Sequence, residues 1–274
     1  MATTEIQVGM PARQYHRADF LSSTMLRNFL ASVQLAEYRK TAPIESKALT
    51  MGEAIHTAIL EPERFQRDYA MVDARKGSKA WTGFQQANPR KVLLNPTDYS
   101  TCVLSQESVK QHPTASRFLR DSSPDEREVS VFGHDNATNV STKCRCDILT
   151  GDEIVDIKTT TDADPENFAR SISKYGYHIQ AAYYQMIVEQ HTGHRLPFYF
   201  VAVEKSAPNL VGVYELDDDS MEQGRRMARK GLQLYAESRN NETTKPNYEG
   251  YGVGVKTLRL PPWKLDNESE ANDE

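Results

Sequence analysis

The segment Lys143–Tyr184 constrains the fold more than any other part of the chain. Two short runs rich in β-branched and apolar residues, Cys144–Leu149 and Ile154–Thr159, flank the turn-forming Thr150-Gly151-Asp152. They predict two strands joined by a tight bend. Side chains alternate faces along a strand, so Asp156 and Lys158 share a face, about 7 Å apart at Cα, while Val155 and Ile157 turn to the core. The bend carries Asp147 towards Asp156. Two carboxylates brought together repel each other unless a cation lies between them, and oxygen-rich sites suit Mg²⁺ or Mn²⁺. Lys158 is placed to polarise a water or to offset charge growing on a phosphate. Together these groups have the chemistry to hydrolyse a phosphodiester. The tripeptide D-x-K alone fits an exposed strand with a surface ion pair better than a site; Asp147, the turn and the helix that follows change that balance.

The remaining pattern surrounds this segment with helices. Residues 1–20 read as irregular, with a short extended piece. Ser22-Ser23 caps a predicted helix reaching about Lys40, with Met25, Leu26, Phe29, Leu30 and Val33 at helical spacing, and Pro43 ends it. A second helix is expected from about Ser46 to Leu60, closed by Pro62. Residues 98–121 give two helical pieces broken at Pro113. A strand opens near Glu128, and Pro197–Lys205 and Leu210–Leu216 give two more. A helix from about Tyr177 to Gln190 and a long one from Asp217 to about Asn240 complete the pattern. No repeat or linker divides the chain, so the expectation is one domain over residues 1–264 with an N-terminal helical part. The acidic end, residues 265–274, reads as a disordered tail.

Several side chains invite a role. Gln180 and Tyr184, four apart, project from one helix face, and Lys174 extends that surface. His56 sits at the edge of an apolar stripe formed by Met51, Ile55 and Ile59, which is also where a structural histidine would lie. Between Asp73 and Pro96 the composition turns basic around Trp81 and Phe84. Trp81 could stack on a base there, or pack on the domain beneath a solvated loop. Cys144-x-Cys146 does not suggest zinc, because no second cysteine or Cys–His pair supplies four ligands.

Asp147, the turn and Asp156-x-Lys158 resemble the PD-(D/E)xK nuclease signature, with Asp in the middle position. Gln180-Ala-Ala-Tyr-Tyr184 resembles the Q-x-x-x-Y motif of its exonuclease branch. The wording CRCD, IVDIKTT, YHIQAAYY, MGEAIHTAILEPERF and KTLRLPPWK is similar to the nuclease domain of RecE-type exonucleases, from about Leu21 to Lys264. The resemblance implies an α/β fold: a restriction-endonuclease-like core with a central mixed β-sheet flanked by helices. It implies a Mg²⁺-dependent exonuclease, with Mn²⁺ as a substitute, that degrades linear double-stranded DNA from 5′ to 3′ and leaves 3′ overhangs for recombination by strand annealing. Asp147 and Asp156 would hold metal with His56, the backbone carbonyl of Ile157 and, more weakly, Glu128, which otherwise reads as a surface glutamate. Lys158 would activate the water, while Gln180 and Tyr184 would position the strand. Trp81 and Lys174 are secondary DNA-binding candidates. The implied partners are double-stranded DNA ends, a RecT-like single-strand annealing protein, and further copies of the chain in a ring-shaped tetramer. A structure-specific or restriction-like endonuclease and a non-catalytic DNA-binding module are the rival readings.

Composition narrows these readings in two respects. The formal net charge of −5 is unlike a general nucleic-acid binder, but a nuclease needs only a local basic path beside its acidic metal ligands. Three cysteines and the absence of both an 18-residue apolar run and a leader-like N-terminus point to a cytoplasmic protein without a membrane span.

Overall fold

The computed structural model describes residues 5–42, 47–240 and 254–260. The first part of the chain runs β1 (Glu5–Gln7), α1 (Ala12–Arg17), β2 (Leu21–Ser22), α2 (Ser23–Ala31), α3 (Val33–Thr41), α4 (Lys47–Leu60), α5 (Pro62–Asp68), β3 (Tyr69–Met71), α6 (Lys79–Ala87), β4 (Val92–Leu94), α7 (Pro96–Gln111) and α8 (Ala115–Asp121). It continues through β5 (Arg127–Asp135), β6 (Val140–Leu149), β7 (Ile154–Thr160), α9 (Pro165–Tyr175), α10 (Tyr177–Thr192), β8 (Phe198–Glu204), β9 (Val211–Glu215) and α11 (Asp218–Asn240).

A mixed seven-stranded sheet in the order β1-β5-β6-β7-β8-β9 forms the centre, with β2 added beside β6. Neighbours are antiparallel, except that β7 runs parallel to β8 and β2 parallel to β6. The crossover from β7 to β8 is made by α9 and α10, as a parallel pair requires. Both faces are covered. Phe29, Phe168, Tyr183, Phe200 and Leu232 join one buried cluster, while Ile55, Ile59, Phe65, Phe118, Val155, Ile157, Val201 and Val203 join the other. The division of Phe200 and Ala202 from Val201 and Val203 follows the two-residue alternation of β8. A central mixed sheet between helices is the architecture expected from the resemblance.

Three local features depart from the expected pattern. The helix begun at Ser22, whose hydroxyl accepts from the Met25 amide at 3.3 Å, stops at Ala31 and does not run to Lys40. Ser32 is extended and its hydroxyl caps α3 by accepting from the Leu35 amide at 3.3 Å, so a second cap interrupts an otherwise continuous apolar spacing. The start holds the expected short extended piece as β1, and departs from the expectation in forming α1. The basic stretch between Asp73 and Pro96 contains α6, capped by Ser78, and β4, which pairs in parallel with β3. The expected helix end at Pro43, the start at Ser46 and the acidic tail at 265–274 lie outside the described residues.

Candidate active site and metal centre

The site forms where the sheet opens. On one edge, β6 pairs with β2 at Thr142 and Lys143 and with β7 only at Ile148 and Leu149. Between these points β6 and β7 part, and the Asp147 carboxylate enters the gap, its Oδ2 accepting from the Ile157 amide at 2.6 Å. A side chain thus satisfies a backbone donor that a strand partner would otherwise take.

On the other edge, the pairing of Arg127 with Ile148 and of Val129 with Cys146 sets Glu128 directly opposite Asp147. Glu128 itself is in the left-handed region, with φ +54°. Such a conformation costs a bulky residue on the order of 1–3 kcal/mol unless its surroundings fix it. Arg145 does so, through an ion pair from its Nε to Glu128 Oε2 and bonds from Nη1 to the Met10 carbonyl at 2.8 Å and the Ser130 hydroxyl at 3.3 Å.

His56 arrives from α4, whose Ile55 and Ile59 are buried against β7, and whose Gly52 lies where an added Cβ would touch Thr159 Oγ1 at 3.6 Å. Its Nδ1 is 3.4 Å from Asp147 Oδ2. One ligand atom each from His56, Glu128 and Asp147 lies within 4.8 Å of the other two, close enough for one cation to touch all three. Asp156 is 3% exposed and is held from two sides. Gln180 on α10 donates from Nε2 to its Oδ1 at 2.9 Å, and the Lys158 ammonium makes an ion pair with its Oδ2. That Oδ2 is buried and receives no bond of hydrogen-bonding geometry, so it has acceptor capacity for a cation. The Lys158 ammonium also lies over the Tyr177 ring, 4.7 Å from its centroid.

The electrostatics of the centre are set first by burial, which disfavours the charged form of each of these groups. Burial and the facing Asp147 raise the pKa of Glu128 against the pull of Arg145. Burial likewise raises that of Asp156, with Asp147 adding to the effect and Lys158 opposing it. Burial disfavours the His56 cation, yet the Asp147 carboxylate outweighs it and His56 is raised. Asp147 is lowered, because His56, Lys158 and the Ile157 amide together overcome its burial. Glu128, Asp156 and His56 hold protons more tightly than usual while Asp147 stays ionised, and together they form a donor set suited to a hard divalent cation, which would displace those protons.

The structure brings Asp147, Asp156, Ile157, Lys158, His56, Glu128 and Gln180 together. Tyr184 shares a helix with Gln180 but is buried, its ring 6.3 Å from that of Phe198. Trp81 is buried beneath α6, and the Lys174 ammonium lies over the Tyr175 ring in the last turn of α9. Sequence reasoning missed two cations. Arg145 supports Glu128 from the neighbouring strand. Arg27 on α2 donates to the Tyr175 carbonyl, and although burial lowers its pKa, Tyr184, Tyr177 and Asp156 pull it upward. The only local signal for Arg145 was its place in CRCD, on the face shared with Asp147; Arg27 is far from the motif in sequence. A cleft of about 750 Å³ opens beside Glu128 and Arg145, with Arg13, Glu53, Arg64 and Arg127 on its walls.

A family model described as a PDDEXK-like domain of unknown function (DUF3799) matches residues 22–251. The structure is similar to the crystal structure of a protein from Eubacterium rectale named "Putative exonuclease". The TM-score is 0.62 at 15% sequence identity, covering 96% of this chain and 100% of that one. No curated protein matches the sequence.

Proposed function

The chain belongs to this PDDEXK-like family, and from that premise we propose that it is a Mg²⁺-dependent exonuclease acting on the ends of linear double-stranded DNA. The observation that carries the reading is Asp147. It lies between His56 and Glu128 on one side and the Asp156–Lys158 face on the other, in the gap where β6 leaves β7. His56, Glu128, Asp147 and Asp156, with the Ile157 carbonyl, would hold divalent metal, which when bound supplies Lewis-acid charge to the phosphate and a more acidic water.

The chain's own groups have separable tasks. Gln180 fixes the rotamer of Asp156 by donating to Oδ1, which leaves Oδ2 to the Lys158 ammonium and to a cation. Lys158 directs an ammonium at the same carboxylate, where it can orient the attacking water and offset charge building on the phosphate. Arg27 adds a second cation near Asp156. The low exposure of Asp156 keeps these charges in a poorly screened environment, in which they act more strongly than at a surface.

The resemblance to RecE-type enzymes extends the reading to 5′-to-3′ degradation that leaves 3′ overhangs, to a ring-shaped tetramer, and to work beside a RecT-like annealing protein. Lys174 belongs to the DNA-facing surface in this reading, whereas Tyr184, buried against Phe198, supports α10 from within the core. Among the described residues no helix is long and apolar enough to cross a membrane.

The test is digestion of linear duplex labelled at the 5′ or the 3′ end, with Mg²⁺ or with chelator, beside a covalently closed circle and the Lys158→Ala protein. Early release of 5′ label is expected, with the circle untouched and at least about 10²-fold less product from the variant. Cleaved circles would replace this reading with an endonuclease, and intact DNA throughout would leave a binding module.

A further inference from the structure

A second concavity, separate from the carboxylate centre, lies where α4, α6 and β4 meet. Its volume is about 680 Å³, and Met51, Leu94 and the indole of Trp81 give it apolar walls while Arg75 and Lys76 stand beside them. That volume accommodates a nucleotide-sized molecule. Arg75 and Lys76 are exposed, and Lys79 follows on the first turn of α6. Among the described residues none of the three has a carboxylate partner, whereas most arginines around the catalytic cleft are paired with acids or carbonyls. The acid that also lines the pocket, Asp98, accepts from the Asn95 side-chain amide at 2.9 Å in the first turn of α7. The pocket therefore combines an aromatic wall, a polarizable thioether and two exposed cations against one carboxylate. Proteins hold single-stranded nucleic acid by this combination, stacking bases on the ring and touching phosphates with the cations. The pocket is close to the active site, since Met51 precedes His56 by five positions on α4, a rise of about 7.5 Å along the helix.

We propose that this pocket binds an unpaired nucleotide of the DNA substrate, the base against Trp81 and the flanking phosphates on Arg75 and Lys76. The inference rests on the nuclease reading for its choice of DNA, and it adds a strand-handling site that the carboxylate centre does not provide. Trp81 is buried enough to be a wall of the pocket; it does not protrude to prise strands apart.

The experiment uses the full chain carrying Trp263→Phe, so that Trp81 is its one tryptophan, in chelator to prevent cleavage. Tryptophan emission and anisotropy are followed while a short oligothymidylate is added, and again with an abasic strand of equal length. The expected result is saturable quenching by the oligothymidylate, with the abasic strand binding but not quenching. The exposed-site double variant Arg75→Ala/Lys76→Ala, which spares the buried ring, should bind at least about fivefold more weakly. Its dependence of log affinity on log salt should be shallower by about 0.7 for each phosphate that the variant no longer neutralises. Unchanged emission at saturation, equal quenching by the abasic strand, or unaltered affinity of the double variant would overturn the inference. Mg²⁺-dependent cleavage is scored separately. Cleavage without quenching removes the pocket alone, while quenching without cleavage removes the nuclease reading and leaves the pocket standing.

Discussion

At the scale of single residues, the centre depends on how Lys158 is held. Its ammonium has two neighbours that differ in kind, the Asp156 carboxylate and the face of Tyr177. Tyr177 is itself backed by Tyr175 at 5.6 Å and Phe200 at 6.2 Å, so the ring cannot swing aside without disturbing the core. Burial pushes the Tyr177 hydroxyl up to about 12, and the ring therefore presents a neutral face to the cation at any working pH. A cation–π interaction of this kind contributes about 0.5–2 kcal/mol. Tyr177→Leu should accordingly lower kcat by about 2–30-fold with little change in KM, and Tyr177→Phe, which keeps the ring, should restore it. Equal losses in both variants would show that the hydroxyl, not the ring face, matters. Residues of this kind also mark how far the sequence could be read. Asp147, Asp156 and Lys158 were legible because strand alternation and one turn place them locally, while helical spacing only paired Gln180 with Tyr184 and the resemblance gave it a role. His56 was an ambiguous edge residue until the resemblance gave it a role. Glu128 was a weak candidate because its position opposite Asp147 depends on a β5–β6 register that no local spacing encodes. Arg27 reaches the centre across 129 positions of sequence, counted from Asp156, and left no signal at all.

At the scale of elements, α10 is the support that sets Gln180 against Asp156, and it is fixed by unusually close packing on α11. A Cβ added at Gly224 would stand 2.3 Å from the His178 carbonyl oxygen and 3.0 Å from the Ala182 side chain. The first of these neighbours is backbone, which cannot turn away as a side chain could. Alanine favours a helix over glycine by about 1 kcal/mol, while overpacking costs typically about 1–3 kcal/mol and more where backbone must move. Gly224→Ala should therefore lower the urea midpoint and reduce cleavage through displacement of Gln180. A stabilised variant would show that the two helices separate freely. The elements themselves were read unevenly. Long apolar-periodic stretches such as α4, α7 and α10 and the β-rich strands were recovered, because their burial follows directly from their patterns. The short elements α1, α6, β3 and β4 were not, because each is only a few residues long in polar or basic sequence and is stabilised by tertiary packing more than by its own propensity. The stop at Ser32 was missed because a cap within an apolar-periodic run looks the same as a solvent-facing serine.

At the scale of the whole molecule, the clustered carboxylates link stability to metal and to pH in opposite directions. His56, Glu128 and Asp156 all have folded pKa values raised above their ordinary ones. The folded chain then binds more protons than the unfolded chain, so these groups contribute stability that is full at low pH and lost as pH rises through their raised values. Asp147 has the opposite sign, but its window lies below the ordinary carboxylate pKa of 3.8. In chelator, the contribution of the centre should therefore fall as pH rises above the ordinary values of these groups, 3.8 and 4.5 for the carboxylates and 6.5 for the imidazole. A divalent cation reverses this, because it binds the deprotonated forms and must displace their protons. Mg²⁺ at about 100 times its dissociation constant stabilises by about 2.7 kcal/mol, which for a chain of this size is about 5–10 °C in Tm. That gain should grow with pH over the same interval. Thermal unfolding with and without Mg²⁺ at several pH values, for the wild type, His56→Gln and Asp147→Asn, tests the linkage. The Asp147→Asn protein should lose most of the Mg²⁺ shift, and His56→Gln should flatten both slopes. A Tm indifferent to Mg²⁺ in the wild type, or a Mg²⁺ gain that shrinks as pH rises, would mean that His56, Glu128 and Asp147 do not converge on a cation.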